Sequence, residues 1–168
     1  MIFLRLFFTC IHRYDIALCE IVGMACSGKT FNIAFAFMRN EFHENYTWVL
    51  QQLAGWIKSR PTVIVTDRER GLLKAIPDVF PDAHHMLCLL HIERNIESHA
   101  LKVTKSKGAT YEFQRRSMKL IKSPTHAEFM WQLEYMRGVY GKKWKLMEYL
   151  EETLLIPHAP KLVRCWTD

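Results

Sequence analysis

Between Gly23 and Phe37 the chain reads Gly-Met-Ala-Cys-Ser-Gly-Lys-Thr and then Phe-Asn-Ile-Ala-Phe-Ala-Phe, and the two halves demand different folds. The first half satisfies the phosphate-binding pattern Gly-x-x-x-x-Gly-Lys-Thr, and Val63-Ile-Val-Thr-Asp67 imitates the apolar strand and magnesium-holding aspartate that accompany it. Taken literally, Lys29 would reach the terminal phosphates of a nucleotide while Thr30 and Asp67 held Mg²⁺. That chemistry needs a helix directly after Thr30, because its free amide groups hold the phosphates. The second half opposes a helix. Phe31, Ile33, Phe35 and Phe37 alternate with Asn32, Ala34 and Ala36, the period of a strand, and on a helix the three phenylalanines would point around most of the circumference. The glycines and Ser27 then make a turn, and Tyr14 to Val22 and Phe31 to Phe37 become antiparallel partners.

With Ile2 to Phe8 read as a further strand, the chain opens on three strands in succession. A helix carrying Val49, Leu53 and Trp56/Ile57 at helical spacing follows, capped by Asn45 and ended by Arg60-Pro61. Thr62-Val-Ile-Val-Thr66 is short and β-branched, the composition of a central parallel strand buried on both faces. Asp67 stands at its C-terminal end, where α/β sheets place their chemistry. A short helix with Leu72, Leu73 and Ile76 stops before Pro77, and Ala83 to Cys88 forms another strand. The order is βββαβαβ. Helical patterns fill the remainder at about Leu90–Val103, Tyr111–Ile121, Thr125–Val139 and Lys143–Leu155, with Thr125 and Glu128 spaced as a capping box. Phe129, Leu133 and Met136 mark one apolar face and Leu146, Leu150 and Leu154 another; both read as core.

At 168 residues and 49% apolar content the chain can bury a core, and no run of eighteen apolar residues is long enough for a membrane helix. Met1 to Phe8 lacks the positive flank and small-residue cleavage site of a secretory leader, so a strand is expected there. Five cysteines (Cys10, Cys19, Cys26, Cys88, Cys165) without paired spacing argue against a disulfide framework and for a reducing compartment. A net charge of +6 favours an anionic partner. The densest basic stretch, Lys102, Lys105 and Lys107 leading to Arg115, Arg116, Lys119 and Lys122, reads first as a solvated face and second as a phosphate track.

Several segments in one order resemble the Mutator-like (MULE) transposase domain, shared with the transposase-derived far-red-impaired-response regulators of plants. They are Leu18-Cys-Glu-Ile-Val-Gly23, Gly28 to Phe37, Glu44-Asn-Tyr-Thr-Trp48, Val63-Ile-Val-Thr-Asp-Arg-Glu69, Phe80-Pro81, Leu87-Cys88-x-x-His91-Ile92-x-x-Asn95, Ser123-Pro-Thr125, Leu155-Ile-Pro-His158 and Trp166-Thr-Asp168. The resemblance implies an α/β fold of the RNase H-like type, a mixed sheet flanked by helices with a helical C-terminal part. It also implies a core over residues 1–105 and a helical extension of the same domain over 106–168. Nuclear DNA would be the partner, and Mg²⁺ or Mn²⁺, held by three carboxylates, would drive cleavage and strand transfer. Asp67 matches the second of those carboxylates and is the catalytic, metal-holding position. Cys88 and His91 match the family's C-x-x-H motif; zinc, with His84 and His85 nearby, is the rival to a packing or hydrogen-bonding role, but a second ligand pair at matching spacing is missing.

Two departures weigh against catalysis. The family's first aspartate falls near residue 6, inside Leu4-Arg-Leu-Phe-Phe-Thr-Cys10, where no acidic residue stands, and Asp15 lies too far along to replace it. The family's glutamate is expected beyond Trp166-Thr-Asp168. Asp67 alone represents the triad, and one carboxylate does not hold two Mg²⁺ ions in octahedral geometry. The expectation is therefore a transposase catalytic domain without the full reaction. A domesticated DNA-binding or regulatory module is the alternative, with the nucleotide triphosphatase behind both.

Overall fold

The computed structural model describes residues 3–11, by their backbone, 16–25 and 27–167. They divide into two compact units, Met1–Cys88 and Leu89–Asp168.

The first unit is a five-stranded mixed sheet with two helices. Strands β1 (Phe3–Ile11), β2 (Ile16–Met24) and β3 (Thr30–Met38) run antiparallel in succession, whereas β4 (Val63–Thr66) and β5 (His84–Leu87) run parallel to β1. The order across the sheet is β3-β2-β1-β4-β5. Strand β3 begins at Thr30, so no helix follows the glycine-rich loop. Gly28 takes the left-handed φ of 78° that turns the chain, closed by Gly28 N–H to the Ala25 carbonyl and Ala25 N–H to the Lys29 carbonyl, both 2.9 Å. The phosphate-loop geometry is thereby lost, and the hairpin expected from the alternation is present.

The alternation faces the other way from a simple apolar-inward strand. Phe31, Phe35 and Phe37 are 53%, 54% and 66% exposed, while Ile33, Ala34 and Ala36 pack against the core and Met38 is buried in it. A register shift opposite Ile21/Val22 leaves Ile33 unpaired, and the inward positions of β2 are Ala17, Cys19 and Ile21. Helix α1 (His43–Trp56) adds Tyr46, Val49, Leu50 and Leu53 to this core, and α2 (Arg70–Val79) adds Leu72, Ala75 and Ile76 around a fully buried Ile64.

Local boundaries depart from the sequence reading in definite ways. Asn45 lies inside the first turn of α1 and not at its cap; its side-chain amide donates to the Asn40 carbonyl and Oδ1 at 3.1 and 2.6 Å. Helix α2 runs through Pro77 instead of ending before it. Pro77 costs the last turn one N–H bond, and Phe80 N–H still reaches the Ile76 carbonyl at 2.8 Å.

The second unit is helical: α3 (Leu89–Thr104), α4 (Lys107–Ile121), α5 (His126–Tyr140), a 3₁₀ turn at Gly141–Lys143, α6 (Trp144–Glu148), a π-turn segment Tyr149–Leu155, α7 (Ile156–Leu162) and α8 (Arg164–Thr167). The stripes Phe129/Leu133/Met136 and Leu146/Leu150/Leu154 are buried, as their spacing requires. Helix α4 starts four residues before Tyr111, because Ser106 caps it by accepting the Ala109 N–H at 3.4 Å. Lys105, at φ 52°, ends α3 in the left-handed conformation. Helical structure also continues past Leu155: α7 follows directly on the Tyr149–Leu155 segment, and Pro157 leaves one backbone N–H bond of this continuous run unmade.

Thr125 does cap α5, accepting the Glu128 N–H at 3.2 Å. Replacing it in Thr125→Ala is expected to cost about 1 kcal/mol. Urea unfolding followed by circular dichroism checks this, and Thr125→Ser should recover most of the loss.

Candidate active site

Strand β4 determines the site. Thr66, its last residue, is fully buried, and its hydroxyl donates to the Asp67 carbonyl at 2.8 Å. The same oxygen lies 2.8 Å from His85 Nε2 on β5. Because the hydroxyl proton is already committed, the imidazole serves as the donor, with its proton on Nε2. These two bonds fix the backbone at the end of β4, just before Asp67. The Asp67 carboxylate accepts the Glu69 N–H at 3.3 Å, so it closes a turn into α2; the residue at the α2 N-cap is Glu69, without a side-chain bond to the helix.

Glu41 joins this edge from far away in sequence. Strand β3 is antiparallel to β2 and β2 to β1, so β3 points the same way as β1 and β4, and the chain leaving it arrives at the same end of the sheet as Asp67. Gly71 lets that chain approach α2: a Cβ there would stand 2.6 Å from the Glu41 carbonyl and 3.0 Å from the His43 amide nitrogen. Glu41, Asp67 and Glu69 thus share one electrostatic neighbourhood. Burial pushes the Asp67 carboxyl up to about 6; the Glu69 N–H bond works against this rise and the Glu69 charge adds to it. Glu41 is also raised, first by burial and then by the charges of Glu69 and Asp67. Burial and the Asp67 charge push the Cys19 thiol up to about 12, and Tyr46 is raised for the same kind of reason, so both are neutral walls and not nucleophiles.

The other predicted residues are placed separately. Cys88 is buried and its N–H donates to the Thr66 carbonyl at 2.6 Å, continuing the β4–β5 pairing by one step. His91 lies in the first turn of α3, in the second unit. His84 and His85 are neighbours on a strand and therefore point to opposite faces, His84 exposed and His85 bound to Thr66, so they do not converge on one ion. Among the described residues no three His, Cys, Asp or Glu side chains are grouped to hold a metal ion. Asp15 lies outside the described residues.

On the basic stretch, Lys102, Lys105, Lys107 and Lys119 are exposed. Arg115 and Arg116 both donate to Glu112, at 2.9 and 2.7 Å, which takes part of their charge into a local network. Sequence reading missed Glu41, Gly71 and the Thr66–His85 bond.

The first unit is thus a mixed α/β sheet with a half-buried acidic residue just beyond its parallel strand β4. The MULE transposase domain matches residues 8–95, and the chain belongs to that family. Protein FAR1-RELATED SEQUENCE 6 of Arabidopsis thaliana is 37% identical over 84 residues, covering 50% of this chain and 12% of that protein. Protein FAR1-RELATED SEQUENCE 5 of the same plant is 29% identical over 82 residues, 48% of this chain and 10% of that protein. The transposase for insertion sequence element IS905 of Lactococcus lactis is 30% identical over 134 residues, 79% of this chain and 33% of that protein. The chain therefore spans a third or less of the length of these relatives. The protein is transposase-derived, and among the described residues no helix is long and apolar enough to cross a membrane.

Proposed function

We propose that this chain is a DNA-handling domain of the RNase H-like type whose carboxylate set, within these residues, is incomplete for two-metal strand transfer. The observation that carries the reading is the register of β1 on β4. Phe3, Leu4 and Arg5 pair with Val63, Ile64 and Val65, and the same register extrapolated by one and two residues sets Leu6 and Phe7 against Thr66 and Asp67. A second metal-bridging carboxylate belongs on that neighbouring strand, and Leu6-Phe7-Phe8 supplies none. The parallel set β1–β4–β5, flanked on one side by β2 antiparallel to β1 and by β3 antiparallel to β2, supports the fold type.

The donor set does not fit two Mg²⁺ or Mn²⁺ ions. Asp67 is half-buried with a raised affinity for its proton, and among the described residues its acidic neighbours are not grouped as ligands. What the chain offers DNA is positive charge, from Lys102, Lys105, Lys107 and Lys119 and from the portions of Arg115 and Arg116 not spent on Glu112. The similarity to the FAR1-related proteins favours a regulatory, nuclear setting for such a module over an active recombinase.

Two measurements test this together. Binding to a short duplex should weaken steeply as salt rises, and Lys102→Ala/Lys105→Ala/Lys107→Ala should lower the salt slope by about 3, roughly one for each phosphate contact removed. Supercoiled plasmid should stay intact with Mg²⁺ or Mn²⁺. Nicking that requires the ion and disappears in Asp67→Asn would instead establish a working centre.

A further inference from the structure

The α4–α5 pair carries a surface that the phosphate-track reading leaves unexplained. Trp131 and Tyr135, one helical turn apart on α5, are stacked with centroids 5.7 Å apart and planes 19° from parallel, yet Trp131 is 61% exposed. The Arg116 guanidinium of α4 lies over the Tyr135 ring at 4.8 Å. One turn further along α4 stands the exposed Lys119, and one turn back along α5, whose chain runs the opposite way, stands Trp131. Arg115 and the exposed Tyr111 continue the same side of α4. The acidic residues of this face are Glu112, shared by two guanidiniums, and Glu128, one turn before Trp131 on α5; against Arg115, Arg116 and Lys119 the surface remains net positive.

Apolar exposure alone asks only for burial. Here the exposed rings are ordered as a stack, one is already faced by a cation, and further cations flank them on the adjacent helix. A hydrophobic partner would gain nothing from Arg115 or Lys119, and duplex phosphates would gain nothing from an outward indole. A strand of unpaired nucleotides uses both: its bases stack on exposed aromatic rings and its phosphates meet the lysine and arginine side chains. These residues lie beyond the matched family segment, which ends at residue 95.

We propose that the α4–α5 face, centred on Trp131, Tyr135, Arg116 and Lys119, is a binding platform for single-stranded DNA. The proposal rests on DNA being the partner of this chain and names the form of DNA that this surface takes.

The test is fluorescence anisotropy with the full chain and a labelled oligothymidylate of about 15 nucleotides, matched against a duplex of equal length. The single strand should bind more tightly than the duplex and quench tryptophan emission. Trp131→Ala should weaken single-strand binding about tenfold and leave duplex binding unchanged, Trp131→Phe should retain most of the affinity, and Lys119→Ala should lower the salt slope by about 0.7. Circular dichroism on the same samples shows whether each variant is folded, and an exposed indole is a mild site to truncate. Equal affinity for both forms, or a folded Trp131→Ala that binds the single strand as well as the parent, would overturn the platform while leaving DNA as partner. Binding of neither form would overturn both.

Discussion

Asp67→Asn is expected to stabilise the protein at neutral pH and to lose that advantage in acid. In the unfolded chain the carboxyl ionises around its ordinary 3.8, whereas in the folded chain it holds its proton up to about 6. Between those values the folded state binds more protons than the unfolded one, so this group's contribution to stability falls as pH rises through the window and is constant above it. Below 3.8 both states are protonated and the side chain costs nothing. A displacement of this size corresponds to about 3 kcal/mol. Solvent reaches part of the carboxyl, so a gain of about 1–2 kcal/mol is the expectation. In asparagine the Oδ1 still accepts the Glu69 N–H, so the turn into α2 is kept. Thermal melts at pH 7.5 and pH 4 check the prediction: the melting temperature should rise by about 2–4 °C per kcal/mol at the higher pH and match the parent at the lower. A destabilised Asp67→Asn at pH 7.5 would mean that the ionised carboxylate has a compensating partner.

What was legible from sequence follows from range. Val63-Ile-Val-Thr66 is β-branched enough to be a strand in nearly any context, and Asp67 at its end follows without further information. The hairpin at Gly23–Thr30 was legible because Phe31 to Phe37 alternates and a phosphate loop needs a helix. The direction of that alternation was not, because Ala34 and Ala36 face the core only by virtue of α1 and the Ile33 irregularity, both set by partners elsewhere in the chain. Helix ends misled for the same reason: Pro77 signals a stop at Ile76, yet the packing of Leu72, Ala75 and Ile76 carries α2 three residues further, to Val79. Glu41 is the clearest case. Nothing around residue 41 marks it, and it reaches Asp67 only once three strands have fixed which end of β3 is which.

Gly71 is where that arrangement can be broken most sharply. Its φ is not in the left-handed region, so the constraint is contact and not backbone freedom. The Cβ of Gly71→Ala would meet the Glu41 carbonyl oxygen at 2.6 Å, Tyr46 Cδ2 at 2.8 Å and the His43 nitrogen at 3.0 Å. Two of these are main-chain atoms and the third belongs to a fully packed ring, so none relaxes by a rotamer change. Overpacking of this kind costs about 3 kcal/mol. The better helix propensity of alanine returns at most about 1 kcal/mol, leaving a net loss of about 2 kcal/mol measurable by denaturant unfolding. A second consequence separates this from ordinary core damage. The clash is relieved by moving the residue 41–43 segment away from α2, which carries Glu41 out of the field of Asp67 and Glu69. In folded Gly71→Ala the Glu41 carboxyl should therefore titrate closer to its ordinary value of 4.5, followed by carboxyl-carbon NMR, while a buried truncation remote from this edge, such as Leu53→Ala, should destabilise by a comparable amount and leave Glu41 raised. If Glu41 stays raised in both, the glycine serves packing alone, and the acidic edge around Asp67 is held by the strands without it.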